Sequence, residues 1–448
     1  KAITTGEYNT AVGSQALDAN TTASANTAVG YAALTANTTG AQNVAIGAYA
    51  LDASTTAGDN TAIGYEALTA NTSGSQNTGV GHRALISNTT GSGLCAFGVG
   101  TLTYNTTGNN NTAFGRLALT ANTTAHDNSA FGYGALNDNT TGKNNVGVGA
   151  SALAANTTGL NNVAVGAFAL QANTTANDNN AVGMQALTSN TTGQYNDAFG
   201  YSALEKNTTG TGNIAHGFKA LEENTTGNYN TALGYAALTD NTTAGANTAV
   251  GYLALATNTT GSSNVAAGYA VLDANTTGTS NTAVGVYALS ENTTAHHNTA
   301  VGYKASNANT TGSHNVGVGA SALGANTTGN YNAGIGFKAL FSNTTGNSSV
   351  AVGAFALRDA TTGGNNVALG VNAMKVNTTG EQNVTIGEQS MESNTTGNFN
   401  TAVGRSALQA NTTASGNTAV GYFAMDSNTT GTGAAFGAYA LDAQTVGK

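Results

Sequence analysis

Apolar residues recur along this chain in one fixed order. An aliphatic or phenylalanine residue stands directly before a glycine, alanine stands two before it and three after it, and leucine or methionine stands four after it, as in Ala11-Val12-Gly13 followed by Ala16-Leu17. The polar positions are as regular: written from four residues before the glycine, the unit reads N-T/V-A-V-G-x-x-A-L-x-x-N-T-T-G/A-x-x, as in Asn9–Ala25 and Asn230–Ala246. The anchor glycine returns every 17 residues from Gly13 to Gly421 with no insertion or deletion. Repeats of this length signal a solenoid, in which a unit buries its apolar positions only by stacking on its neighbours. The strict period follows, because one gained or lost residue would misalign every ladder beside it.

The unit predicts strands rather than helices. Its two glycine positions and its run of Thr and Asn are poor helix formers, and a helix of ordinary length would have to span one of them. The pairs Ala11-Val12, Ala45-Ile46 and Ala113-Phe114 suit a strand of three or four residues. Asn-Thr-Thr-Gly is turn chemistry, with Asn bonding its own backbone and Gly expected at positive φ. Each repeat is therefore expected to be one coil of two or three short strands, and the fold an all-β parallel β-solenoid (a β-roll or β-helix). With successive coils about 4.8 Å apart, some 25 coils would form an elongated rod of roughly 120 Å.

Composition narrows the alternatives. Charged residues make up 7% of the chain and the net charge is −9, with no basic cluster, which leaves no footprint for nucleic acid. Length alone would suggest two or three domains, but the uninterrupted period predicts a single repeat domain over residues 1–448, regular from Gly13 to Gly421 and irregular over 422–448. The absence of proline suits a stack that needs its backbone N–H groups. Cys95, the only cysteine, takes a Thr or Val position and is read as a small buried hydrophobe rather than a reactive thiol. No run of 18 apolar residues occurs, so no membrane insertion is expected, and the start at Lys1 reads as a processed or truncated piece of something larger.

Comparison of the repeats with one another suggests which columns face inward. The residue before the glycine (Val12, Ile46, Phe97, Leu369) and the leucine four after it, replaced once by Ser306, are expected to form the core. Alanine two before the glycine, with Thr385 the outlier, should lie on the opposite face of the strand. Its restriction to small residues suggests close packing on another copy, and a homotrimer with alanine faces near its axis is preferred over a monomer whose coil is wide enough to enclose both faces. Two asparagine columns, Asn20, Asn37, Asn71, Asn88 and onward and Asn9, Asn26, Asn43, Asn60 and onward, are expected to form side-chain amide ladders. The Asn-Thr-Thr triplets are also sequons, so Asn20, Asn37, Asn88 and Asn105 are candidate glycosylation sites.

The segments Asn26–Leu34 (NTAVGYAAL) and Asn281–Leu289 (NTAVGVYAL) resemble repeats of phage-type tail fibres and related bacterial surface fibre proteins, and more distantly the Asn-Ser-Val-Ala-Ile-Gly repeats in trimeric autotransporter adhesin heads. The resemblance covers essentially the whole chain. It implies a trimeric β-fibre, extracellular, on a cell surface or on a virion, that projects a binding tip or serves as an adhesive shaft. Autotransporter heads use a shorter unit, so handedness and coil shape do not carry over.

Candidate chemistry is sparse. His82, His126, His216, His296, His297 and His314 are read as lying at unrelated repeat positions, and the acidic residues are scattered singly (Asp18, Asp52, Glu66, Glu205). No glycine-rich stretch ends in Gly-Lys-Ser/Thr. No catalytic, cofactor or metal site is expected, and the chain is read as not an enzyme. One candidate contact surface is the column directly after the anchor glycine: Tyr31, Tyr65, Tyr133, Tyr201, Tyr235, Tyr252, Tyr269, Tyr303 and Tyr422, with Phe218 and Phe337. Aligned aromatic rings could stack on sugars of a host or cell-surface glycan, or simply fill a groove. A second column, Thr21-Thr22 and its successors, raises an ice-binding array, although adjacent threonines would point in different directions. The leading expectation is a structural fibre or filament shaft, with self-association and possible end-to-end growth. The lattice slips near the C-terminus, where Gly437 follows Gly421 by 16 residues and Gln444-Thr-Val-Gly447 replaces Asn-Thr-Thr-Gly, and a cap or junction is expected there.

Overall fold

A computed structural model describes residues 5–429 and 431–442. The chain forms two compact units, Lys1–Asn228 and Tyr229–Lys448. The boundary falls inside a sequence period that continues unbroken from Gly217 to Gly234. Both units are parallel β-solenoids with the same 17-residue coil, and no helix occurs among the described residues. The first unit carries strands β1 (Thr10–Val12) to β13 (Ile214–His216), and the second carries β14 (Thr231–Leu233) to β26 (Ala434–Phe436). The irregular Gln444–Gly447, expected to mark a cap or junction, lies outside the described residues.

Pairing is parallel and in register. Thr10, Ala11 and Val12 lie beside Thr27, Ala28 and Val29 in the first unit, and Thr401, Ala402 and Val403 lie beside Thr418, Ala419 and Val420 in the second. The shortened coil does not interrupt the sheet. The strand at Thr418–Val420 pairs with β26 at a 16-residue step, Thr418 beside Ala434, and the Gly437 N–H still donates to the Val420 carbonyl at 2.8 Å. Gly433 takes the place of the asparagine that precedes the strand there, and its N–H donates to Asn417 Oδ1 at 2.9 Å. The missing residue is therefore absorbed in the turn before the strand.

Each coil holds one three-residue strand rather than the two or three expected. Inter-coil bonds continue beyond the strand: Leu34 N–H donates to the Ala50 carbonyl and Ala36 N–H to that of Asp52, both at 3.0 Å. What ends the extended run is a pair of left-handed residues two and four after the glycine, such as Ala32 (φ 55°) and Leu34 (φ 52°). A third stands just before the asparagine that precedes the strand, as at Ala25 (φ 61°). These residues turn the chain so that alternate side chains point inward on a very short path. The glycine of Asn-Thr-Thr-Gly is not among them, contrary to expectation: Gly40 and Gly74 do not adopt positive φ, and Ala fills the same position at Ala23 and Ala57. The anchor glycine is the one that needs its freedom. Gly336 has φ +133°, and a Cβ there would come within 2.6 Å of the Gly353 carbonyl oxygen.

The inside and outside of the strand are the reverse of the sequence reading. The middle residue of each strand, usually alanine, is buried, while the residues either side of it face out. Ala28 and Ala45 are fully buried, but Val12, Ile46 and Phe131 are exposed. Alanine three after the glycine and leucine four after it complete the interior, as with Ala33 and Leu34. A coil this narrow has room for one large side chain per turn, and leucine supplies it from the wall facing the strand. Each buried leucine contributes about 2 kcal/mol. The alanine column is restricted because it packs inside its own coil. No alanine face of the regular coils is therefore free to line a trimer axis.

Departures within the core show how tightly the columns are coupled. Thr385 replaces the strand alanine, and its hydroxyl bonds Ser390, which replaces the alanine three after the same coil's glycine; Ser390 Oγ also reaches the Gly387 carbonyl at 3.0 Å. With alanine at 390, the Thr385 hydroxyl would be buried without a partner. Ser306 has no such compensation. It occupies the leucine column, its Oγ is buried without a hydrogen bond, and the strand residue packed over it is Gly317, where a Cβ would meet that oxygen at 2.6 Å.

Two outcomes follow for stability. Gly336→Ala should destabilise the second unit by at least ~2 kcal/mol, through left-handed strain and contact with the next coil's carbonyl. Ser306→Leu should raise stability by about 1–2 kcal/mol, since it restores apolar burial and removes an unpaired hydroxyl. Urea unfolding followed by circular dichroism measures both; a neutral Gly336→Ala or a destabilising Ser306→Leu would contradict this packing.

Candidate functional site

The columns that never leave the interior are structural in a specific way. In the column before the strand, Asn43 N–H donates to Asn26 Oδ1 at 3.0 Å, and Asn43 Nδ2 donates to the Ala57 carbonyl at 2.9 Å. In the corner column, Asn173 Nδ2 donates to Asn156 Oδ1 at 2.8 Å, and Asn156 Nδ2 donates in turn to Asn139 Oδ1 at 2.8 Å and to the Gly159 carbonyl at 3.1 Å. Amides in the regular run thus face the coils on either side, and both columns are buried from Asn20 onward. The threonine that follows adds a third ladder, with Thr157 Oγ1 donating to the Thr174 carbonyl at 3.0 Å.

This geometry bears on two sequence expectations. Asn20, Asn37, Asn88 and Asn105 are buried at 1% exposure or less, and their Nδ2 atoms donate to backbone carbonyls. A folded coil does not offer them to a glycan. The paired threonines also divide: the first, as at Thr157, spends its hydroxyl on the next coil, and the second, as at Thr158, is exposed. The two do not form one array, as their adjacency suggested.

The tyrosine column is where the sequence placed it, on the surface. All nine tyrosines are exposed, from 39% at Tyr201 to 55% at Tyr133. Three of them turn their ring faces on one another. Tyr235, Tyr252 and Tyr269 stack with centroids 5.3 and 5.1 Å apart and planes 16° and 11° from parallel, and Tyr201 stacks on Phe218 at 5.4 Å. Elsewhere His82 covers Tyr65, Arg116 lies 5.9 Å from the Tyr133 ring, and Lys304 lies 5.5 Å from that of Tyr303. Stacking on a sugar requires a free ring face, and these runs present edges instead. A shallow, open depression beside Tyr133, lined also by Leu117, Gly134, Asn137, Ser151 and Ala154, encloses no polar cluster.

Titratable groups pair locally along the surface. Asp52 and Asp273 are pushed above the ordinary carboxylate range by partial burial, and Glu66 is held below it by the Arg83 guanidinium, whose Nε lies 2.7 Å away. His126 and then Asn110 hold Asp127 below its usual value. Cys95 is only half-buried, rather than buried as expected, and that partial burial pushes its thiol up. Among the described residues, no group of three or more His, Cys, Asp or Glu side chains is placed to hold a metal ion. The histidines are less scattered than their numbers suggested: His297 and His314 share one column 17 residues apart, their rings 5.0 Å apart, and His314 stacks on Tyr331 at 4.8 Å.

The surface that sequence reasoning missed is the outer face of the strands. Its signal was available as a prohibition. Of the chain's 21 acidic and 12 basic residues, Asp197 alone lies in a described strand, and its Oδ2 is 3.2 Å from His216 Nε2 on the neighbouring strand. Comparison with protein-family profiles and with curated proteins finds no match. The likeness to fibre repeats rests on the repeat residues alone.

The amide ladder contains its own experiment. Ala360 replaces the corner asparagine in one coil, and Asn343 Oδ1, which would accept from it, is buried without a partner. Ala360→Asn should stabilise the second unit by about 1–2 kcal/mol, whereas Asn156→Ala in the first should cost roughly 2–4 kcal/mol because it strands amide groups on both sides. Thr158→Ala, at an exposed position, should fall within about 0.5 kcal/mol of wild type. Thermal melts of the three variants check the order, and equal effects of Asn156→Ala and Thr158→Ala would contradict it.

Proposed function

We propose that the chain is a structural fibre or filament shaft, extracellular or virion-borne, whose job is to supply stacked length and stiffness. One observation carries this reading: the columns that hold their identity from coil to coil (the anchor glycine, the buried asparagines, alanine and leucine) all serve contacts between coils, while the positions after the glycine change freely. Selection for a binding site would be expected to hold some exposed cluster constant and let the scaffold vary around it. Here the scaffold is constant. The extracellular placement and the adhesive role come from the resemblance to tail-fibre and surface-fibre repeats. Self-association belongs to the same reading.

The stacked tyrosine faces weigh against a carbohydrate-binding track, and the divided threonines against an ice-binding array on that column. Small-angle scattering and negative-stain imaging of the purified chain test the shaft. Elongated particles, with neither retention on immobilised polysaccharide nor thermal hysteresis, are the expected result. A compact particle would overturn the proposal, and so would saturable glycan binding lost on Tyr252→Ala.

A further inference from the structure

In the second unit, the thirteen strands from Thr231–Leu233 to Ala434–Phe436 turn two side chains each to the outside, and those positions hold only Thr, Val, Ile, Leu, Ala and Phe. The five strands from Val316–Val318 to Val384–Ile386 are stricter, with outward Val, Ala, Ile and Leu and no hydroxyl at all. Val350, Val352, Ile335 and Ile386 are 36–41% exposed. A solvated sheet face normally collects Lys, Glu and Thr, and an exposed apolar surface is guarded by charge. The same unit places charge freely elsewhere, at Lys304, Lys338, Arg358, Asp359, Lys375 and Glu388, each off the strands. Charge is therefore excluded from this one face.

We propose that the outer strand face of residues 229–442 docks on the same face of a second copy of this chain. Thirteen rungs about 4.8 Å apart and three residues wide give a face of roughly 600 Å². Two such faces bury about 1,200 Å² together, which reaches the lower edge of stable, specific interfaces. Sheets packed face to face interdigitate their side chains at about 10 Å, so Val, Ile and Leu from the two copies would form a dry layer. A face that lies on one side of the coil takes one partner. The contact is then isologous, a pair related by a two-fold axis, rather than the three-fold assembly expected from the alanine column. The proposal does not depend on the shaft reading: a pair formed on this face is expected whatever the chain's role.

The central strands also distinguish the second copy from an ice surface, since the outward positions of the five strands from Val316–Val318 to Val384–Ile386 carry no hydroxyl to order water. Size-exclusion with light scattering on the full chain tests the pairing. Wild type should have twice the 44.1 kDa chain mass, and the double variant Val350→Lys with Val352→Lys should return to the single-chain mass. Both side chains point outward, so the variant should keep its circular dichroism and melting temperature. Asn372→Lys, in the half-buried column off the strands that already holds Lys304 and Lys338, should leave the doubled mass unchanged. A wild-type monomer, a mass of three chains, a doubled mass that survives both lysines, or thermal hysteresis lost with them would each overturn the proposal.

Discussion

The buried asparagine amide is the interaction on which the rest of this fold depends. A coil of 17 residues is too narrow to hide its corners under hydrocarbon, so backbone carbonyls at the turns must be satisfied by something carried inside. An amide is suited to this because it donates and accepts at once, and in a stack both directions lie along the axis. Asn156 illustrates the arrangement: it accepts from the coil that follows, donates to the coil before, and ties its own turn at the Gly159 carbonyl. A buried amide with one partner missing costs more than the bond is worth when made. Hence the period cannot drift in the regular coils, and the one 16-residue step occurs where Gly433 replaces the asparagine.

The same constraint accounts for the backbone. Turning the chain so sharply places ordinary residues in the left-handed region, among them leucine at almost every repeat, as with Leu34 at 52° and Leu357 at 49°. Left-handed conformation costs an L-residue roughly 1–2 kcal/mol, close to what burying the leucine returns. A coil on its own therefore gains almost nothing. Net stability comes from the bonds each coil makes with its neighbours, which is why the glycine, asparagine, alanine and leucine columns are kept together and why a replacement such as Thr385 is matched by Ser390.

Much of this was legible in the sequence. The 17-residue spacing alone implies a β-solenoid, and two regular asparagine columns imply amide ladders, because no other arrangement uses a fixed polar residue at every turn. The assignment of inside and outside was not legible. Val12 and Ala11 are both restricted, and size favours burying valine; only the width of the coil, filled by Leu17 and its successors, shows that alanine is the inward residue. The sequons at Asn20, Asn37, Asn88 and Asn105 misled for the same reason, since a motif read along the chain carries no information about burial across it. The pairing of His297 with His314 could have been found by counting to 17, and the outer strand face by asking where charge never falls.

Side-chain amide exchange tests the ladder most directly. In a ¹⁵N-labelled sample, the Nδ2 protons of the two asparagine columns should exchange with solvent far more slowly than those of surface asparagines such as Asn137 and Asn330, and the slowed set should follow the 17-residue period. Exchange of the column asparagines at the rate of a free amide would contradict the buried ladder and, with it, the physical basis of the stack.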